Sequence, residues 1–286
     1  MTLPEVRDRF SPNQAQRAER AVIDMLVLHY TGMRTAGEAI ERMCDPQARV
    51  SAHFVIEENG TIWRLVPETL QAFHAGRSCW AGSSNLNEIP IGIEIVNPGH
   101  EWGYRPFPEE QMAAVERLSG ALLSRFPIPP DRVVGHSDIA PDRKSDPGEL
   151  FDWPRLARAG IGTWPEPASG LAHRRGRDVG VVERSGALSD LAAIGYPVTA
   201  GAETAVVTAF QRRFRPSAGT ASSTRRPLCA WRKCAPLTTA LGGFDGISDR
   251  ISRIPAPCRD RESGAEFGAS PRMPSCARMS KLHHTC

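Results

Sequence analysis

The sequence predicts an α/β fold: a mixed central β-sheet flanked by helices, followed by a short, incomplete helical module and a disordered tail. Three observations carry that expectation. Apolar runs at residues 21–29 (AVIDMLVLH) and 91–96 (IGIEIV) suit strands buried on both faces. Asn59-Gly60 lies between two β-rich runs, a hairpin signal. Residues 108–126 repeat Met112, Val115, Leu118 and Leu122 at helical spacing. A hairpin among strands that alternate with helices makes the sheet mixed rather than purely parallel.

In chain order, the run 21–29 reads as a strand that ends at His29. Residues 35–43 read as a short helix stopped near Asp45-Pro46. Residues 51–57 and 61–66 form the two arms of the hairpin. Residues 74–90, rich in Gly, Ser and Asn, read as a long loop over a site rather than as an element. The strand 91–96 carries Glu94. The helix 108–126 opens with Pro-Glu-Glu, suited to a helix N-terminus. Residues 132–135 form a short strand that delivers His136, residues 137–150 a polar loop, and residues 153–159 a further helix. The domain organisation expected is a catalytic domain over 1–162, a linker over 163–187, a partial helical module over 188–216 and a tail over 217–286. Pro165, Pro167, Gly170, Gly176 and Arg174-Arg175 mark the linker. In the tail periodicity vanishes, which predicts disorder; out-of-frame translation from near residue 217 is the other reading of the same break.

Charge separates the same regions. Residues 217–286 carry 11 Lys and Arg against 5 Asp and Glu, whereas residues 1–216 carry 24 against 27. The basic excess therefore lies in the tail, which argues against nucleic-acid binding by the main body. Five of the seven cysteines also lie in the tail, and with no CxxC pair a cysteine-based metal site is not expected. Cys44 and Cys79 read as isolated thiols. No stretch approaches the ~20 apolar residues of a membrane span. The N-terminus lacks the apolar core of a secretory signal, so a cytoplasmic location is expected, or a periplasmic or envelope one if the start is misassigned.

Chemistry concentrates in three places. His29 ends one predicted strand, His136 follows another, and Asp146 sits in a loop flanked by Pro and Gly. Two imidazoles and a carboxylate are the ligand set of a catalytic zinc ion with a fourth position left for water. Glu94 stands in an otherwise apolar strand, where a carboxylate without a purpose is costly to bury. It reads as a general base, or, by simple alternation with Gly92 and Val96, as a solvent-facing side chain. Lys144, two residues before Asp146, could set its ammonium beside an oxyanion, or be an ordinary exposed lysine.

The stretches LVLHYTG (26–32), SAHFVIEENGTIWRLV (51–66), FHAGRSCWAGSSNLNEIPIGIEIVN (73–97) and VVGHSDIAPDRKSDPG (133–148) resemble the type 2 N-acetylmuramoyl-L-alanine amidase family, the AmpD- and AmiD-like zinc amidases related to T7 lysozyme and peptidoglycan recognition proteins. The resemblance covers roughly residues 20–160. It implies one zinc ion and hydrolysis of the amide joining the lactyl group of muramic acid to L-alanine, in peptidoglycan or muropeptides. By position it implies His29, His136 and Asp146 as zinc ligands, Glu94 and Lys144 as catalytic residues, and His74, Asn87 and His53 as substrate-binding candidates, with His53 also open to a structural role. Ala52 stands where some branches carry a tyrosine, Pro90 where serine is common, and Phe73 where tryptophan is common. LSDLAAIGYPV and ETAVVTAFQRRFRP resemble the first half of a three-helix peptidoglycan-binding module. A monomer is expected. Two other functions fit the same residues: a non-catalytic peptidoglycan receptor, and a zinc amidase acting on another acyl-peptide.

Overall fold

The computed structural model describes residues 3–84, 86–165 and 181–214, the last without the side chains of 181–184. Its strands are β1 (Arg7–Asp8), β2 (Gln14–Gln16), β3 (Met25–Tyr30), β4 (Phe54–Ile56), β5 (Ile62–Arg64), β6 (Leu70–Ala72), β7 (Cys79–Trp80), β8 (Ser83–Ser84), β9 (Pro90–Ile95) and β10 (Val133–Gly135). Its α-helices are α1 (Ala36–Cys44), α2 (Gly99–Trp102), α3 (Glu109–Arg125), α4 (His136–Ile139), α5 (Trp153–Arg158), α6 (Val181–Ile194) and α7 (Glu203–Phe214). Six strands form one mixed sheet in the order β1-β5-β4-β9-β3-β10. Only β4 and β5 pair antiparallel within it, as the two arms of the hairpin. The turn between them passes through Gly60 at φ +81°, a conformation that favours glycine.

Alternation along β3 decides which face does what. Leu26 and Leu28 point into a core with Phe54, Ile56, Ile91, Ile93 and Ile95, closed by Met112, Val115, Leu118 and Leu122 of α3. Each such side chain contributes about 1.5–3 kcal/mol when taken from water. Helix α3 starts after Pro108 with Glu109 and Glu110 in its first turn and ends with Arg125 in its last, each charge matched to the helix dipole. The buried Gln111 amide of α3 donates to the carbonyls of Ile56 and Val96, which fixes the helix across the strand ends.

Met25 and Val27 point the other way, with Val134, Trp80 and Leu86, and the residues that cover them are Leu191, Tyr196, Val206, Ala209 and Phe210. Farther along the same face, Val55 and Leu65 pack with Ile40 and Met43 of α1. Helix α1 is capped by Thr35, whose hydroxyl accepts from the Glu38 N–H. Between these two covered areas the face carries the buried His29 and the Glu94 that borders a groove.

Several sequence expectations change in detail. The loop 74–90 contains the short pair β7–β8 and a 3-10 turn at Leu86–Glu88. Helix α6 begins at Val181, inside the stretch read as linker. Residues 166–180 of that linker, and the tail with its expected disorder, lie outside the described residues. Cys44 is a free thiol, but Cys79 is disulfide-bonded and so is not the isolated thiol expected.

Candidate active site

The register of the sheet assembles the site. His29 near the end of β3 pairs with Glu94 of the parallel strand β9, so both side chains leave the same face at the same level. Strand β10 runs parallel on the other side of β3 and stops at Gly135, which places His136 beside His29. The chain then turns through α4, and the Ser137 N–H donates to the Asp146 carbonyl at 2.9 Å, tying the two ends of the loop together.

The three residues converge. His29 Nδ1 lies 2.9 Å from His136 Nδ1 and 3.1 Å from Asp146 Oδ2, and His136 Nδ1 lies 3.0 Å from the same oxygen. All three side chains are buried, and each offers one ligand atom to a common point. Ligands at 2.0–2.1 Å around a tetrahedral zinc stand about 3.3 Å apart, so the triangle is close to the size the ion needs. The outer nitrogens also fit. His136 Nε2 is 3.2 Å from the Ala75 carbonyl, to which it can only donate. His29 Nε2 is 3.0 Å from His74 Nδ1. With His29 donating there, both inner nitrogens present lone pairs to the same point as the carboxylate, an arrangement that a cation satisfies. Burial first, and then the neighbouring His136, lower the His29 pKa to about 4, against the pull of Asp146, so the ring is neutral and able to ligate at pH 7.

Glu94 Oε1 stands 4.0 Å from His29 Nδ1, while Oε2 is buried with no hydrogen-bond partner among the described residues. Glu94 keeps the face that alternation with Gly92 and Val96 gives it, but that face borders the groove, so the carboxyl is part-buried rather than in open solvent. Burial, and after it the charge of Asp146, push the Glu94 pKa well above its ordinary value; Lys144 opposes them. Lys144 is half-buried and lines the same groove as Glu94, His136 and Asp146. That groove has a volume of about 760 Å³, and Arg42, Phe73, His100 and Trp102 are among the residues that line it.

The three substrate-binding candidates go to different places. His74 lines the groove and lies against the outer nitrogen of His29. Asn87 turns inward: its Oδ1 accepts from the His74 and Ala75 N–H groups at 3.2 and 2.7 Å, so it shapes the groove loop. His53 is not among the residues that line the groove, and of its two readings the structural one fits its surroundings. It is fully buried, accepts from the Gly92 N–H at Nδ1 and lies 3.0 Å from the Leu70 carbonyl and 2.9 Å from Arg17 at Nε2. Those contacts occupy both ring nitrogens. Burial and Arg17 lower its pKa to about 3.

Sequence reading passed over two residues that shape the site. Arg143 donates to the carbonyls of Ala75 and Arg77 and so clamps the groove loop to the loop that carries Asp146. Tyr30, next to His29, shares hydrogen bonds with Ser145 Oγ at 2.8 Å and His100 Nδ1 at 3.0 Å. Both sit inside the quoted motifs, Tyr30 beside His29 and Arg143 beside Lys144; that adjacency was the signal, which spacing alone does not turn into a role.

Comparison with known proteins agrees with this geometry. Residues 19–149 match the family described as N-acetylmuramoyl-L-alanine amidase. The amidase AmiD of Escherichia coli is 38% identical over an alignment of 212 positions that covers 68% of this chain and 76% of AmiD. The 1,6-anhydro-N-acetylmuramyl-L-alanine amidase AmpD of Haemophilus influenzae is 34% identical over an alignment of 171 positions that covers 54% of this chain and 91% of AmpD. Among solved structures, E. coli AmiD in complex with the substrate anhydro-N-acetylmuramic acid-L-Ala-D-gamma-Glu-L-Lys aligns with a TM-score of 0.66 at 34% identity, covering 76% of this chain and 91% of AmiD. AmpDH3 from Pseudomonas aeruginosa aligns with a TM-score of 0.66 at 28% identity, covering 81% and 99%. A shared fold and sequence identity of this order over most of AmiD have one explanation, common descent: the chain is an enzyme of the N-acetylmuramoyl-L-alanine amidase family.

Proposed function

We propose that this chain is a zinc-dependent amidase that hydrolyses the bond between the lactyl group of muramic acid and L-alanine in peptidoglycan or muropeptides, in cell-wall turnover or recycling. The observation that carries the proposal is the buried triangle of His29 Nδ1, His136 Nδ1 and Asp146 Oδ2, with sides of 2.9–3.1 Å, opening on a groove that also holds Glu94 and Lys144. The muropeptide complexes of the related AmiD and AmpDH3 support the substrate class.

His29, His136 and Asp146 would hold the ion. When bound, zinc supplies Lewis-acid polarisation of a carbonyl and ionisation of water at neutral pH. The chain's own residues do the rest. Glu94, with its raised pKa and an unpartnered oxygen, accepts the proton of the attacking water and returns it to the departing alanine nitrogen. Lys144 places its ammonium in the groove, where negative charge develops on the carbonyl oxygen. His74 and Arg143 keep the groove wall in place beside the reacting bond.

The test is digestion by the purified full chain of anhydro-muropeptides and of intact sacculi in parallel, with products read by mass spectrometry and bound metal measured in the same preparation. Stem peptide with a free L-alanine amine, one zinc per chain, and loss of turnover with EDTA restored by zinc are expected. Full turnover by metal-stripped protein would sink the reading. Binding of sacculi without release of peptide would favour a receptor.

A further inference from the structure

We propose that Tyr196 and Arg213, contributed by the α6–α7 unit, are positioning residues for the metal centre: they hold Asp138, and through it the turn that presents His136. The inference rests on the reading of His136 as a zinc ligand.

Asp138 is a carboxylate with no exposure to solvent. A charge so placed must be paired and hydrogen-bonded. One of its bonds is local: Oδ2 accepts from the Gly135 N–H at 2.8 Å, which closes the first turn of α4, whose first residue is His136. The others come from far along the chain. Tyr196 Oη donates to Oδ1 at 2.6 Å, and Arg213 Nη1 donates to Oδ2 at 2.7 Å. Arg213 is itself buried, and its second arm donates to the Val133 carbonyl at 3.0 Å while its guanidinium lies 4.0 Å from the centre of the Trp153 ring. A single guanidinium thus bridges β10 and α4, the elements on either side of His136.

Packing reinforces the bridge. Val206, Ala209 and Phe210 of α7 share a core with Val134, Ile139 and Ala140. Tyr196 lies edge-on to Trp80 of the groove loop, and the Ala81 N–H donates to the Gly195 carbonyl. The Ser137–Asp146 backbone bond carries any displacement of α4 to the carboxylate ligand as well. Ligand sets tolerate only small displacements. An interdomain contact made for docking alone needs no charged pair beside a metal ligand.

The test uses the full chain with Tyr196→Phe, Arg213→Lys and Arg213→Ala. It reads zinc affinity by competition with a chromogenic chelator, and kcat and KM on an anhydro-muropeptide at saturating zinc. Tyr196→Phe removes one hydroxyl and is expected to stay folded, with zinc affinity lowered about tenfold, kcat several-fold lower and KM unchanged. Arg213→Ala is expected to lose up to about 100-fold in zinc affinity, partly recovered in Arg213→Lys. Should Arg213→Ala not fold, the other two variants decide. Wild-type zinc affinity and kcat in Tyr196→Phe and Arg213→Lys, even with lowered melting temperatures, would overturn the inference alone. A wild-type chain that binds no zinc overturns it together with the metal-centre reading.

Discussion

Glu94 and His53 show opposite fates of a polar side chain on the same sheet face. Glu94 reaches the groove with one oxygen lacking a partner among the described residues. Glu94→Gln keeps the shape and removes the proton acceptor. It is expected to retain one zinc per chain and to lose about 10²–10⁴ in turnover, measured as stem-peptide release at saturating zinc. His53 is closed in, and its value lies in stability. Its folded pKa is about 3 against 6.5 in the unfolded chain. Below pH 6.5 the unfolded chain takes up a proton that the folded one refuses until near pH 3. Stability is therefore intact above pH 6.5 and declines as pH falls through that window. From pH 7 to pH 4 this amounts to about 3 kcal/mol. Urea unfolding at the two pH values should show the wild type losing that much more than His53→Gln, and parallel losses would refute the assignment. His29, His136 and Glu94 were legible because each stands at the end of, or inside, an apolar run where its presence needs a reason; Asp146, in a polar loop, has no such run and was read from its place between Lys144 and Pro147-Gly148. His53 was left open between substrate binding and a structural role because its motif matches either way, and the Gly92, Leu70 and Arg17 contacts favour the structural one.

Strands and helices follow rules of periodicity, and those with an apolar face were legible: β3, β9, α3 and the β4–β5 hairpin lie within a few residues of their expected bounds. Among the pieces that were not, β1 and β2 are two or three residues long and largely exposed, and β6 is three residues long, so none is long enough to show a pattern. Strand β9 also carries a constraint invisible in hydropathy. A Cβ on Gly92 would lie 2.5–2.7 Å from the His74 ring, which rests on that bare stretch of backbone. Gly92→Ala must push the ring away, and with it the hydrogen bond to His29 Nε2. The expected result is a loss of about 1–3 kcal/mol in stability together with weaker zinc binding, read by urea unfolding and chelator competition. Wild-type zinc affinity in a folded Gly92→Ala protein would show that His74 does not orient His29.

At the scale of the molecule, the sequence suggested beads on a string, a catalytic domain and a helical module joined by a linker. The composition of residues 163–187 supports that picture, since Pro, Gly and Arg there break periodicity. What composition does not encode is the partner of an apolar face. Met25, Val27 and Val134 on the sheet are covered by Val206, Ala209 and Phe210 of α7, so the two parts share a core. Contacts of that kind couple unfolding, whereas a tethered module would melt alone. Calorimetry of the full chain should therefore show the sheet and the α6–α7 unit melting in one transition. Phe210→Ala, which removes a buried ring from the shared core, should lower that transition as a whole by about 3 kcal/mol, about 10 °C for a body of this size. The loss of near-ultraviolet signal from the tryptophans, Trp153 and Trp80 among them, should move with it. Two separated transitions, with only the smaller displaced by Phe210→Ala, would mean that α7 rests on the sheet without stabilising it.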